Sequence, residues 1–182
     1  NKYRELTKLL SGYEGKSGIV YCLSRKNVEE VCDKLRNDGF SATRYHAGLS
    51  DSERRSNQDD FIYDRCQIMV ATNAFGMGID KSNVSFVIHY NMPKDIESYY
   101  QEAGRSGRDG EPAECVILYS GNDVRINRFM IENSREDNQE LSDEQRSQMI
   151  AKDMERLKQM TFYCTTTDCL RGFMLKYFGE PN

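Results

Sequence analysis

Apolar runs alternate with helical spacings along residues 18–130, and the alternation sets out the elements one by one. The run Ser17-Gly-Ile-Val-Tyr-Cys-Leu23 predicts a buried strand. Ser24 then supplies an N-cap, Val28, Val31, Cys32 and Leu35 follow at helical spacing, and Gly39 stands where a helix C-cap belongs. A short strand is predicted over 40–45. Ser50 and Glu53 make a capping box that opens a second helix ending near Phe61. Residues 67–71 and 84–89 read as two more strands. A helix follows Asp95 with Ile96, Tyr99 and Tyr100 on its inner face, and 115–119 is the last clear strand. Strand and helix in turn imply parallel strands with crossover helices, an α/β fold of one parallel sheet flanked by helices. Ligands bind such sheets beyond the C-terminal strand ends. The loops after Leu23, Ala71 and Tyr90 are therefore the first places to look.

Past this region the pattern changes. Residues 133–146 are polar and charged, with Leu141 the one strong apolar side chain, and read as a linker. Met149, Leu157 and Met160 then suggest a helix, and Cys169 to Phe178 a shorter one carrying Leu170, Phe173, Met174 and Tyr177. The organisation expected is an α/β domain over 1–132, a linker over 133–146 and a short helical segment over 147–182. The chain opens on Asn1 rather than Met and reads as a fragment.

Charge narrows the partners. Acidic residues number 29 against 25 basic ones, a formal net charge of −4, which argues against binding nucleic acid through bulk positive charge. Phosphate contacts must then be local. Six cysteines stand at irregular spacings, and Cys22, Cys32, Cys66 and Cys115 lie in or beside apolar stretches, as reduced buried thiols do. No apolar run approaches the length that spans a bilayer, so no membrane partner is expected. A cytosolic, thiol-reducing setting is expected in place of a disulfide framework.

Three strings carry candidate chemistry. Gln101-Glu-Ala-Gly-Arg-Ser-Gly-Arg-Asp-Gly110 places Arg105 and Arg108 in a loop with three glycines, just after a helix. Glycines let backbone approach a ligand, and two arginines held there can fork onto phosphate oxygens. A polar surface loop with ordinary salt bridges is the alternative. Ala71-Thr-Asn-Ala-Phe-Gly-Met-Gly-Ile-Asp-Lys81 follows a strand directly. Thr72 could reach a phosphate, Gly76 and Gly78 permit a tight turn, and Asp80 could accept from a ribose hydroxyl. A plain strand-to-helix turn explains this string equally well. Ser24 and Arg25, with His46 and the backbone of Gly48 in Tyr45-His-Ala-Gly-Leu49, could also hold phosphate. Ser24 serves as a helix cap in addition, and a satisfied structural histidine is the competing reading of His46.

The first string resembles motif VI of superfamily-two helicases, with the Gln and Arg-Asp-Gly of the RecQ branch. The second resembles motif V, and the third resembles motif IV with the short element after it. Glu97-Ser-Tyr-Tyr-Gln-Glu-Ala-Gly-Arg105 is similar to RecQ sequence too, as is Cys169-Leu-Arg171 followed by Tyr177-Phe-Gly-Glu180, where the RecQ zinc module begins.

The resemblance implies the second RecA-like domain of an ATP-dependent helicase that unwinds DNA 3′ to 5′ in repair and recombination. It implies ATP and Mg²⁺ held mainly by a first RecA-like domain of the same polypeptide, since no G-x-x-x-x-G-K-[ST] string stands here. Gly12-Tyr-Glu-Gly-Lys-Ser17 lacks that spacing and precedes the first strand. Arg108 is expected as the arginine finger, Arg105 as its support and Gln101 as the residue that positions water or senses the γ-phosphate. Arg105, Arg108, Gly78 and Asp80 are expected at the nucleotide. Ser24, Arg25, His46, Gly48 and Thr72 are expected on DNA, single strand or duplex junction. Cys169 is expected as one ligand of a Zn²⁺ whose other ligands lie beyond Asn182. The expected location is the cytoplasm and nucleoid of a bacterium or the nucleus of a eukaryote. The competing functions are an RNA-directed helicase of the same superfamily and a non-catalytic binding module.

Overall fold

The computed structural model describes residues 1–75, 81–134 and 141–179. The chain divides into two compact units, Asn1–Met92 with Tyr99–Tyr119, and Pro93–Ser98 with Ser120–Asn182. The division falls at Ser120, ahead of the boundary that composition suggested at 132.

The first unit holds a parallel sheet of β1 (Ser17–Tyr21), β2 (Ala42–Tyr45), β3 (Ile68–Ala71), β4 (Val84–His89) and β5 (Glu114–Ile117) in the order β2-β3-β1-β4-β5. All four pairings are parallel. Each strand matches a predicted one within two residues at either end. Every residue of β1 is buried, as befits the central strand of a sheet covered on both faces. The strand stops at Tyr21 because the Leu23 N–H leaves the ladder and donates to Asn91 Oδ1 at 2.9 Å.

Two apolar clusters cover the sheet. On one face α1 (Lys2–Ser11) contributes Leu6 and Leu10, and α2 (Arg25–Asn37) contributes Val28, Val31, Cys32 and Leu35, against Val20, Ile68, Val70, Phe86 and Ile88. Ser24 caps α2 by accepting from the Asn27 N–H at 3.1 Å, and Gly39 follows its end at φ +89°. On the other face Phe61 of α3 (Asp51–Ile62) and Phe75 pack with Ile19, Tyr21, Met69 and Val87. The Ser50–Glu53 capping box opens α3 as predicted. Gly18 in β1 is required by its neighbour: a Cβ there would sit 2.2–2.3 Å from the Phe86 ring, which stacks on Tyr13 at 4.5 Å. After β4 comes α4 (Ile96–Ala103), where the spacing placed it; Ile96 and Tyr99 are buried as expected, but Tyr100, expected on the inner face, is exposed.

Two helices stand outside the elements predicted from the pattern. In α1 the two core leucines stand among Lys2, Arg4, Glu5 and Lys8. In the second unit, α5 (Gly121–Asn133) buries Asp123 and Asn127 while Ile126, Phe129 and Met130 are exposed, so its hydrophobic pattern is inverted.

The second unit continues with α6 (Asp143–Thr165) and α7 (Leu170–Tyr177). A Ser142–Gln145 capping box starts α6 inside the span read as linker. Leu157, Met160 and Tyr163 are its buried stripe, whereas Met149 is exposed. Phe173 of α7 packs on Tyr163, with ring centroids 5.4 Å apart, and the Tyr177 hydroxyl donates to Glu97 Oε1 at 2.6 Å. Burial and that carboxylate push the Tyr177 phenol up to about 12.

Candidate nucleic-acid and nucleotide interface

Because β2, β3 and β1 are neighbours, the loops leaving their C-terminal ends lie in a row. Two strand spacings make that row roughly 10 Å long. It brings together Ser24 and Arg25 after β1, His46 and Gly48 after β2, and Thr72 after β3. Ser24 and Arg25 are exposed at the start of α2. A Cβ on Gly48 would meet the Arg25 Cδ at 3.4 Å, so the Arg25 stem lies against that turn.

His46 is buried, with its Nε2 2.7 Å from Glu29 Oε1. Glu29 also accepts from Arg44 Nε at 2.9 Å. Burial works to raise the Glu29 carboxyl, but hydrogen bonds and charge from His46 and Arg44 prevail and hold it below the usual range. The Gly48 N–H donates to His46 Nδ1 at 3.0 Å. It is thus engaged within the chain instead of pointing to solvent. Thr72 is also mostly buried. Its N–H donates to the Tyr45 carbonyl at 3.2 Å, and its hydroxyl oxygen accepts from the Ala74 N–H at 3.4 Å.

The arginine string lies elsewhere. Its loop leaves the end of α4, and the Gly107 N–H donates to the Val84 carbonyl at 3.0 Å, at the first residue of β4. The rule that sent attention to the C-terminal strand ends does not reach this anchor. Gly107 and Gly110 sit at φ +69° and +81°, left-handed conformations that glycine adopts without strain. Asp109 accepts from the Glu111 N–H at 3.1 Å within its own turn. Arg108 is exposed and, among the described residues, neither hydrogen-bonded nor ion-paired. Gln101 is exposed on α4, one turn before Arg105.

Arg105 is turned differently. It is half-buried, and its Nε is shielded from solvent without a hydrogen-bond partner among the described residues. Its positive charge lies close enough to act on the Tyr21 phenol. That hydroxyl in turn lies 3.4 Å from the Phe75 carbonyl. Burial drives the Tyr21 phenol well up and the Glu102 charge adds to this, while Arg105 opposes it. Below Tyr21 the ring of His89 stacks at 5.2 Å, and His89 Nε2 meets Glu102 Oε2 at 2.6 Å.

Sequence reasoning missed this buried layer of Tyr21, His89 and Glu102, together with Asn91 and Lys81. Lys81 Nζ reaches Asp64 Oδ1 at 2.6 Å, with its side chain 2% exposed. The one local signal was a lone polar residue within an apolar run, as in Val87-Ile-His89. Gly76, Gly78 and Asp80 lie outside the described residues.

In the second unit Cys169 is exposed at the N-cap of α7. Cys164, five residues earlier, is pushed up to about 12 by burial. Among the described residues no group of three or more His, Cys, Asp or Glu could hold a metal. No described helix is long and apolar enough to cross a membrane.

A five-stranded parallel sheet, with a glycine-bracketed arginine loop on one side and a row of polar loops at its C-terminal edge, is the RecA-like fold of helicase C-terminal domains. The sequence model of the helicase conserved C-terminal domain family matches residues 1–110, and that of the RecQ zinc-binding family matches residues 121–182. The chain belongs to the helicase conserved C-terminal domain family, in its RecQ branch. It is 46% identical over 180 residues to the ATP-dependent DNA helicase RecQ of Bacillus subtilis, covering 99% of this chain and 29% of that protein. It is 45% identical over 182 residues to the ATP-dependent DNA helicase hus2/rqh1 of Schizosaccharomyces pombe, covering 98% of this chain and 13% of that one. The chain thus spans less than a third of either relative. Among solved structures, the E. coli DEAD-box protein SrmB bound to regulator of ribonuclease activity A superposes with a TM-score of 0.61 at 27% identity, over 67% of this chain and 72% of that one.

Proposed function

We propose that the chain is the second motor domain of an ATP-dependent 3′-to-5′ DNA helicase acting in repair and recombination. The observation that carries this is Arg108: an exposed guanidinium without a partner among the described residues, on a loop pinned to the sheet through Gly107 and Val84. Such a group is placed in advance of any ligand and is free to meet one when a first RecA-like domain closes against it.

ATP and Mg²⁺, held mainly by that first domain, supply the phosphoryl group and its metal. Arg108 then acts as the arginine finger, offsetting charge on the γ-phosphate oxygens in the transition state. Gln101 contributes to water positioning or γ-phosphate sensing. Arg105, whose charge lies near Tyr21, supports the loop from within and adds positive charge at the same phosphates. Asp80 and Gly78 complete the nucleotide contacts. Along the C-terminal edge Ser24, Arg25, Thr72 and the turn around Gly48 grip successive phosphates of one strand. Contacts of this kind hold DNA without reading its sequence and suit a chain of net charge −4. A structural zinc takes four ligands, of which Cys169 is one, with the rest outside the described residues.

The test is Arg108→Ala in the full-length helicase. Arginine fingers contribute ~10³–10⁵ in kcat, so DNA-stimulated hydrolysis should be nearly abolished while nucleotide affinity changes little. Retention of more than about a tenth of wild-type kcat, a loss below ~1.4 kcal/mol, rules the assignment out. Strand-preference measurements on the same enzyme separate DNA from RNA as the substrate.

A further inference from the structure

The turn after β2 shows a division of labour that the phosphate-grip reading does not supply. Its N–H groups are largely taken: Gly48 donates to His46 Nδ1 at 3.0 Å, Leu49 to the His46 carbonyl at 3.2 Å, and Ser50 to Glu53 Oε2 at 3.1 Å. Ala47, Gly48 and Ser50 are exposed there beside Arg25, and of the N–H groups of residues 47–50 only that of Ala47 has no partner among the described residues.

The hydrogen-bond pattern fixes the state of the histidine. A backbone N–H can only donate, so Nδ1 must be the unprotonated, accepting nitrogen. The ring proton then sits on Nε2 and donates to Glu29 Oε1 at 2.7 Å. Glu29 is itself held by Arg44 Nε at 2.9 Å, and the depressed Glu29 carboxyl agrees with an accepting carboxylate. The chain of contacts runs Arg44, Glu29, His46, Gly48, from α2 and β2 out to the turn. It ends against bare backbone: a Cβ on Gly48 would lie 3.0 Å from both Cε1 and Nδ1 of the ring. With 6% of its surface exposed, His46 has both nitrogens engaged and offers none to a ligand.

We infer that His46 is a positioning residue and not a DNA contact: through its Nδ1 it shapes the 46–50 turn, so that Ala47 backbone and Arg25 meet the phosphates. The inference rests on the reading of this edge as the DNA grip. It assigns the effect of His46 to one ring nitrogen, and the two amide side chains separate the nitrogens. In His46→Asn the Oδ1 stands where Nδ1 stood and can accept from Gly48. In His46→Gln the terminal amide reaches towards Glu29 and leaves Gly48 unserved.

The experiment measures single-strand DNA affinity of the full-length helicase by fluorescence anisotropy across a salt series. His46→Ala, His46→Asn and His46→Gln are compared with wild type, and thermal melting of each variant monitors folding. His46→Asn should stay within about threefold of wild type. His46→Ala and His46→Gln should weaken binding roughly tenfold, the scale of one lost net hydrogen bond. The salt slope of His46→Asn should be unchanged, because no phosphate contact is removed. If Asn and Ala weaken binding alike and both lower the slope by about one, His46 touches phosphate directly and the inference is overturned. It is equally overturned if all three variants bind as wild type does. Arg25→Ala and Thr72→Ala serve as a separate arm. If neither weakens binding, it is the DNA-grip reading of this edge that fails, whatever the His46 variants do.

Discussion

Replacing Asp64 with Asn isolates one charge in the first unit. Asp64 stands at φ +58°, a left-handed conformation that Asn tolerates almost as well as Gly, so the backbone has no reason to move. What changes most is the charge facing Lys81, while Ser17 and Asn83, which also donate to Asp64 Oδ1 at 3.0 and 3.4 Å, can donate to the amide oxygen instead. The Lys81 side chain is 2% exposed, and Nζ has the Asp64 carboxylate at 2.6 Å, the Ile62 carbonyl at 3.3 Å and the Phe61 ring face at 5.2 Å. Asn keeps an amide oxygen near Nζ but brings no charge, so the buried ammonium is left with neutral partners only: that oxygen, one carbonyl and one ring. Breaking a buried pair from one side costs ~3–5 kcal/mol. Asp64 is 56% exposed, so water already screens the pair, and ~2–3 kcal/mol is the expected loss. That corresponds to a melting temperature lower by roughly 4–12 °C for a chain of this size. Urea unfolding of the 182-residue chain, followed by circular dichroism, should show a lower midpoint at constant slope. Adding Lys81→Met removes the stranded charge and should bring stability back to within about 1 kcal/mol of wild type. The reasoning is refuted if Asp64→Asn loses less than ~0.5 kcal/mol or if the double variant is less stable than Asp64→Asn alone.

Stability should also depend on acid. The Lys81 hydrogen bond holds the Asp64 carboxyl low, and His46 with Arg44 does the same for Glu29 against the pull of burial. A depressed carboxyl stabilises the fold above its unfolded pKa, about 3.9–4.3 for these groups, and loses that contribution as pH falls through its folded value. Melting temperatures should therefore be flat from about pH 7 to 5 with respect to these groups and fall below about pH 4, with a shallower fall in Asp64→Asn. Gly18→Ala places a Cβ 2.2–2.3 Å from the Phe86 ring and should destabilise the chain by ~1–3 kcal/mol or more. A urea midpoint unchanged in Gly18→Ala would show that Phe86 and Tyr13 can yield.

Much of the first unit was legible because a parallel sheet buried on both faces writes its strands as unbroken apolar runs, and because Ser24 and the Ser50–Glu53 box mark helix starts locally. Helix α1 escaped notice because its three leucines, two of them buried, are interleaved with charges over little more than two turns, and α5 because its interior side chains, Asp123 and Asn127, are polar. The site divides in the same way. The arginine loop and the three edge loops are contiguous strings and could be read directly. That Arg105 turns inward to Tyr21 while Arg108 stays outside depends on contacts across more than eighty residues of chain. The Lys81–Asp64 and His89–Glu102 pairs are likewise set by tertiary packing, for which a single polar letter in an apolar run gives no partner.

The sheet order has a consequence for how the chain acquires its structure. Strand β1 is central, yet Gly18 pairs with Ile68, fifty residues later, and Ile19 with Val87, sixty-eight residues later. The pairs Ala42–Ile68 and Phe86–Glu114 close loops of only twenty-six and twenty-eight residues. Each doubling of loop length adds only ~0.6 kcal/mol to closure, so the order is biased and not dictated. The flanking units β2-α3-β3 and β4-α4-β5 are favoured to form first, with β1 joining them last. During synthesis the first strand leaves the ribosome well before either neighbour exists. Until residue 68 is available, Ser17–Tyr21 is an apolar segment with both edges open, the kind that pairs with another chain when it cannot pair with its own. The strand at the heart of the finished sheet is thus the one most exposed to aggregation while the sheet is being made.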